Sequence, residues 1–166
     1  MRKPRLEDVD DLLEFAGDAD VMQWIGDKPG GRDAAVELVE RWIARWNANG
    51  VGQFVVVADG QIIGRVGLLI WDSRTWETAT YDSAGAAAEN ELGWALSSSH
   101  WGRGYALEAA AAAREWAYAA RGASRLIALS APCDARSTRV AAEPGAEPEQ
   151  LVQMPAYAPA RAWVPP

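Results

Sequence analysis

Apolar positions recur along the chain with two periods, and the changes between them mark its elements. Val9, Leu12, Leu13 and Ala16 fall on one helical face with Gly17 just beyond, so the spacing predicts a short amphipathic helix closed by a glycine cap. Ala35, Leu38, Val39, Trp42 and Trp46 predict a second helix over about Arg32 to Asn47, supported by Glu37 four residues before Arg41 and ended by Gly50. Phe54 to Val57 and Ile62 to Leu69 read as strands flanking Asp59-Gly60, two residues that tolerate positive φ and so predict a hairpin. Leu92, Trp94 and Leu96 alternate with Glu91, Gly93 and Ala95, the mark of a strand with one apolar face. From Leu107 the run becomes alanine-rich and helical as far as Arg121, with Glu108 in its first turn and Gly122 after its end.

Leu126 to Leu129 predicts a buried strand, parallel to the one at Glu91 because a helix separates them. A helix over Asp134 to Glu143 follows, with Asp134 as N-cap and Pro144 ending it. Six of the nine prolines lie from Pro144 onward, which restricts Leu151-Val152 and Ala162 to Val164 to short or edge strands. Trp71 to Ala88 keeps no period and is expected to be a mobile flap, an irregular strand or a solvated connector. The whole predicts one mixed α/β (α+β) domain.

Its 166 residues suffice for one domain with a core that needs neither metal nor disulfide. A net charge of -7 and a pI near 4.7 speak against nucleic-acid binding, which advertises itself by a basic face, and suit an amine partner weakly. The one cysteine, Cys133, forbids an internal disulfide, and one histidine with one cysteine makes no metal-ligand set. The start MRKPRLEDVDD is charged and no apolar run reaches membrane-spanning length, so a soluble, cytoplasmic protein is expected. The nine tryptophans are expected mainly as core or interface anchors.

The chemistry concentrates between the strand at Glu91 and the helix from Leu107, in Trp101-Gly102-Arg103-Gly104-Tyr105-Ala106. Such a strand, glycine-rich turn and helix leave backbone N–H groups free at the helix start, a ready anion site. A mononucleotide P-loop is excluded, since the loop carries no lysine. A dinucleotide site would need its third glycine at the position of Leu107. Gly104 and Ala106 do match the coenzyme A loop of the GNAT superfamily of N-acetyltransferases, Gln/Arg-x-x-Gly-x-Gly/Ala, with Trp101 in place of the Gln or Arg. Trp101 to Ala109 resembles the branch of ribosomal-protein N-terminal acetyltransferases throughout. Glu7-Asp8, Val21-Met22 with Ile25-Gly26, Ile63 to Leu68, Pro132, Ser137, Arg139 to Ala141 and Gly145-Ala146 are similar to it in order and approximate spacing.

The resemblance implies a mostly antiparallel mixed sheet with a central parallel strand pair splayed around acetyl-CoA. It also implies that the chain's first strand is curtailed or missing, because Met1 to Pro4 is too short for it. The implied activity is acetyl transfer from acetyl-CoA to a primary amine, a protein N-terminus or a small molecule, with room for a homodimer. Gly102, Arg103, Gly104, Tyr105 and Ala106 would hold the cofactor, and backbone N–H groups near Leu96 would polarise the thioester carbonyl. Arg139 would also meet phosphate charge. Glu91 would be the base, with Glu77 and Glu89 as rivals and a solvated strand carboxylate as the alternative. Ser137 stands where the branch carries a serine proposed to protonate the departing thiolate. Asp134 replaces a common asparagine at the cofactor and Pro144 a usual apolar residue, departures that keep open a non-catalytic acyl-CoA-binding or regulatory domain. His100, in the loop, is expected to be exposed or capping.

Overall fold

The structure, a computed structural model, describes residues 1–142, 145–155 and 159–164. A 3₁₀ segment at Leu6–Leu12 leads into helices α1 (Leu13–Gly17), α2 (Ala19–Ile25) and α3 (Arg32–Asn49). Strands β1 (Gln53–Ala58) and β2 (Gln61–Asp72) follow, then β3 (Glu77–Thr78), the single-turn helix α4 (Tyr81–Ala84) and β4 (Ala88–Leu96). The remainder is α5 (Tyr105–Arg121), β5 (Ala128–Ser130), α6 (Ala135–Ala142), β6 (Glu147–Val152) and β7 (Ala160–Val164). The chain packs as two compact units, Met1–Gly67 with Trp94–Ala109, and Leu68–Gly93 with Ala110–Pro166.

In the first unit, α3 buries Ala35, Leu38, Val39, Trp42 and Trp46, the stripe its spacing predicts, and ends where Gly50 turns left-handed and donates its N–H to the Trp46 carbonyl. The Phe15 and Trp42 rings meet edge to face, with centroids 6.1 Å apart, inside a core that includes Leu12, Met22, Val39 and Val55. Each such side chain contributes about 1.5–3 kcal/mol by leaving water. The first predicted helix differs in one respect. Its opening is 3₁₀, with three residues per turn, so the buried series runs Val9, Leu12, Phe15 and Leu13 faces solvent. Helix α2, capped by Asp18, spans only seven residues, too short for its period to show in the sequence.

Strands β1 and β2 form the predicted hairpin, with Ala58 opposite Gln61 and both Asp59 and Gly60 at positive φ. The register shifts between Val56 and Val57, leaving Ile63 as an extra residue in β2. The carbonyl of that bulged residue accepts from the Ser97 N–H at 2.8 Å, which fixes where β4 ends. A Cβ at the adjacent Gly64 would lie 2.3 Å from the Ala95 carbonyl oxygen, so the close approach of β4 there requires glycine. The curtailed first strand is reduced to one antiparallel bridge, Arg2 with Val55.

In the second unit, β2 pairs with β3 through Trp71 opposite Thr78 and Asp72 opposite Glu77, and Ala79 N–H donates to the Ile70 carbonyl. Residues 71–88 are therefore a succession of short hydrogen-bonded elements rather than a structureless connector. Turn and cap bonds such as Thr80 Oγ1 with Ser83 N–H hold them, and such bonds leave no hydrophobic period to read. Strands β5, β7 and β6 form an antiparallel sheet with β7 central and the proline-bearing β6 at its edge. Leu69, Trp71, Val152, Met154, Ala160 and Ala162 form its core. Strand β4 meets the chain entering β5 at one parallel bridge, Glu91 with Ile127, as the intervening helix predicts. Asp134 caps α6, and the stop expected at Pro144 lies outside the described residues.

Candidate active site

In the first unit the candidate cofactor loop is built from the end of β4 to the first turn of α5. A 3₁₀ turn at Ser98–His100 starts it, held by the Asp18 carboxylate, whose Oδ2 accepts from Ser98 N–H at 2.7 Å. Oδ1 of the same group accepts from Asp20 and Val21 N–H at the start of α2, so one side chain caps both elements. Ser99 Oγ donates to Glu14 Oε1 at 2.8 Å and lies 3.0 Å from His100 Nδ1, which leaves His100 a half-buried member of a surface polar cluster. The Trp101 indole N–H donates to the Leu96 carbonyl at 2.7 Å, and its ring packs against the first unit's core. Where the motif has Gln or Arg, this chain thus staples the loop to the end of β4.

Gly102 and Gly104 follow with φ of 75° and 84°, values that L side chains rarely adopt. A Cβ at either would meet nothing within 4 Å, so both face open space. The first intrahelical bond of α5 runs from Glu108 N–H to the Gly104 carbonyl, leaving the N–H groups of Tyr105, Ala106 and Leu107 without intrahelical acceptors. This 17-residue helix therefore presents its positive end over an uncluttered glycine loop. Arg103 is exposed beside it, while Tyr105 and Ala106 are half-buried. The residues fit a pyrophosphate: two side-chain-free positions, backbone donors without intrahelical acceptors and one exposed cation. Of the backbone donors near Leu96, Ser97 N–H is engaged with the Ile63 carbonyl.

In the second unit the candidate base is buried. Glu91 is 8% exposed, and the Trp71 indole N–H donates to its Oε2 at 2.5 Å. The backbone on both sides is fixed by the parallel bridge: Leu92 N–H donates to Ile127 O at 2.7 Å and Ile127 N–H to Asn90 O at 2.9 Å. Glu91 is therefore not a solvated strand carboxylate. Its rivals are placed differently, with Glu77 exposed on β3 and Glu89 ion-paired to Arg125 at 3.2 Å. Arg125 also meets Glu149, and these two acids raise its pKa, Glu149 the more strongly. Tyr81 donates to Asn90 Oδ1 beside Glu91, and burial raises its phenol above the ordinary value.

Ser137 lies half-buried in the first turn of α6, and Arg139 on the same helix is exposed. Asp134 is buried, its Oδ1 accepting from Arg136 and Ser137 N–H at 3.1 and 3.2 Å. It is the helix cap its sequence position predicts. Two contributors were not visible in the sequence. Trp71 lay beyond the last residue assigned to its strand, which is buried on both faces from Ile62 to Trp71 and so keeps no alternation to follow. Asp18 showed only as a local cap, because its bond to Ser98 spans 80 residues.

The family model of the acetyltransferase (GNAT) domain matches residues 1–147. The chain belongs to that family. No curated protein matches. Among solved structures, a GNAT-family acetyltransferase from Bacillus anthracis superposes with a TM-score of 0.75 at 18% identity, over 98% of this chain and 91% of that one. The aminoglycoside acetyltransferase AAC(6')-Ib, in complex with ribostamycin and coenzyme A, gives 0.74 at 16% identity, over 99% and 89%. The ribosomal-protein-S5-alanine acetyltransferase from Vibrio fischeri gives 0.67 at 18% identity, over 96% and 90%. At these identities the likeness establishes the mixed α/β GNAT fold. The ribosomal-protein branch is one neighbour among several, so the narrower resemblance of the loop is not shared by the fold comparison. Among the described residues no helix is long and apolar enough to cross a membrane.

Proposed function

We propose that this chain, acting as one domain in the cytoplasm, transfers acetyl from acetyl-CoA to a primary amine, a protein N-terminus or a small molecule. The observation that carries the proposal is the loop: Gly102 and Gly104, both at positive φ and facing open space, at the free N-terminus of α5. The family match, which runs through both compact units, supports the single-domain reading. The resemblance of Trp101 to Ala109 keeps a protein N-terminus in the panel of acceptors, and the neighbour bound to ribostamycin keeps an amino sugar there; neither chooses between them.

Bound acetyl-CoA would supply an activated thioester. Backbone N–H groups from Gly102 to Ala106 bind its pyrophosphate, with Arg103 and Arg139 adding charge. The Leu96 N–H would donate to the carbonyl oxygen as charge builds there. Glu91 takes the proton from the attacking amine, directly or through water, since a protonated amine cannot attack. Ser137 donates a proton to the leaving sulfur. Asp134, which caps α6, would offer the cofactor a carboxylate where an asparagine's amide would donate, and so weaken the clamp. A homodimer is compatible with this assignment.

Calorimetry with acetyl-CoA, desulfo-CoA and NAD tests the cofactor. Both coenzyme A compounds are expected to bind and NAD is not; binding of NAD alone overturns the reading. Binding without thiol release over a broad amine panel would instead identify an acyl-CoA-binding domain.

A further inference from the structure

The second unit contains a buried polar pair of which the reaction as described uses only the carboxylate. Trp71 is 4% exposed and clamped by the apolar side chains of Leu69, Val152, Met154, Ala160 and Ala162. Its indole N–H is a donor only and, once buried, needs an acceptor. That acceptor is Glu91 Oε2, 2.5 Å away. The neighbouring β2 backbone is fixed too, through Trp71 opposite Thr78 and Ala79 N–H on the Ile70 carbonyl. The donor therefore sits on a strand whose position is set by one ladder, and the carboxylate on a strand set by the parallel bridge to Ile127.

We infer that Trp71 is a positioning residue for acetyl transfer: its indole N–H holds the Glu91 carboxylate in the orientation from which it accepts the amine proton. The inference rests on the proposed role of Glu91 as base. A carboxylate turns about its terminal torsions in broad, nearly two-fold wells, so packing alone selects its plane poorly. A rigid bicyclic donor, itself unable to rotate within its apolar clamp, selects one plane. The bond is to a charged acceptor, the stronger class of hydrogen bond. An aromatic residue at this place would satisfy the apolar core equally well without a nitrogen. The nitrogen serves the carboxylate.

The test is a double-mutant cycle with Trp71→Phe and Glu91→Gln, reading kcat, the acetyl-CoA KM, desulfo-CoA affinity and Tm. Trp71→Phe is expected to lower kcat by about ten- to hundredfold, the loss of one charge-assisted hydrogen bond, with desulfo-CoA affinity unchanged. In the Glu91→Gln background the same change is expected to cost less than threefold, because the group it positions is gone. Equal losses in both backgrounds would make Trp71 a packing residue and overturn the inference. Full kcat in Trp71→Phe with low kcat in Glu91→Gln would overturn it while sparing the base. Full kcat in Glu91→Gln alone would remove the base itself. If Trp71→Phe does not fold, Trp71→Met, whose flexible thioether fills irregular gaps, replaces it in the same cycle.

Discussion

Any side chain placed at Gly104 meets two effects, the strain of φ at 84° and bulk in the open space where the pyrophosphate is proposed to lie. Alanine and valine separate them. Both carry a left-handed backbone cost, so Gly104→Ala and Gly104→Val are expected to lower Tm by similar amounts. Coenzyme A affinity, measured by calorimetry, should fall modestly in the first and by at least a hundredfold in the second. Normal affinity in Gly104→Val would take the cofactor away from this loop. The sequence showed these glycines and their spacing plainly. It did not show that Trp101 turns inward to the Leu96 carbonyl, because which way a loop side chain points depends on the core it finds. Nor did it show Glu91 buried against Trp71, since period alone assigns a face and not what covers it.

Among elements, the start of α2 and the turn before the cofactor loop share one carboxylate, Asp18. Asparagine keeps an oxygen for the α2 cap but turns an N–H₂ toward Ser98 N–H, so Asp18→Asn cuts one tie and spares the other. The acetyl-CoA KM is expected to rise about three- to tenfold with kcat at saturation within twofold, while Asp18→Ala also lowers Tm by the loss of a cap worth about 1 kcal/mol. An unchanged KM in Asp18→Asn would show that the turn holds its place without this bond. The elements legible in the sequence are those with long periods or decisive turns: α3, the β1–β2 hairpin at Asp59-Gly60, and the strand, loop and helix from Glu91 to Arg121. Those missed are short and held by polar bonds. Helix α2 is too short to show its period and residues 71–88 keep none, and the proline within β6 suits that strand to the edge, with β7 central.

For the whole molecule, pH acts on stability through the anchored N-terminus. Asp8 is buried, which works to raise its pKa, but the hydrogen bonds from Arg2 and from Arg5 N–H, with their charges, outweigh burial and lower it. A depressed carboxyl pKa contributes stability that is fully present above the unfolded value, about 3.9, and is lost as pH falls through the folded value. Tm should therefore drop as pH falls below about 4, and Asp8→Asn should flatten that drop while lowering Tm at pH 7. An equally steep acid decline in Asp8→Asn would place the effect elsewhere. The two compact units and the family match from residue 1 to 147 fit a chain whose fold was readable from the order of its elements. The acceptor was not readable, because no single motif encodes it.

Thiol release from acetyl-CoA, followed with wild type and Glu91→Gln over pH 6 to 9 on an acceptor drawn from peptide N-termini, amino sugars and simple amines, tests the central claim most directly. Acetyl transfer to an amine with Glu91 as base predicts wild-type turnover. It also predicts a hundred- to ten-thousand-fold deficit in Glu91→Gln at unchanged coenzyme A affinity, shrinking as pH rises and free amine accumulates. Equal rates and identical pH profiles for the two proteins would contradict the assignment of Glu91, and thiol release from neither on any amine would contradict the activity itself.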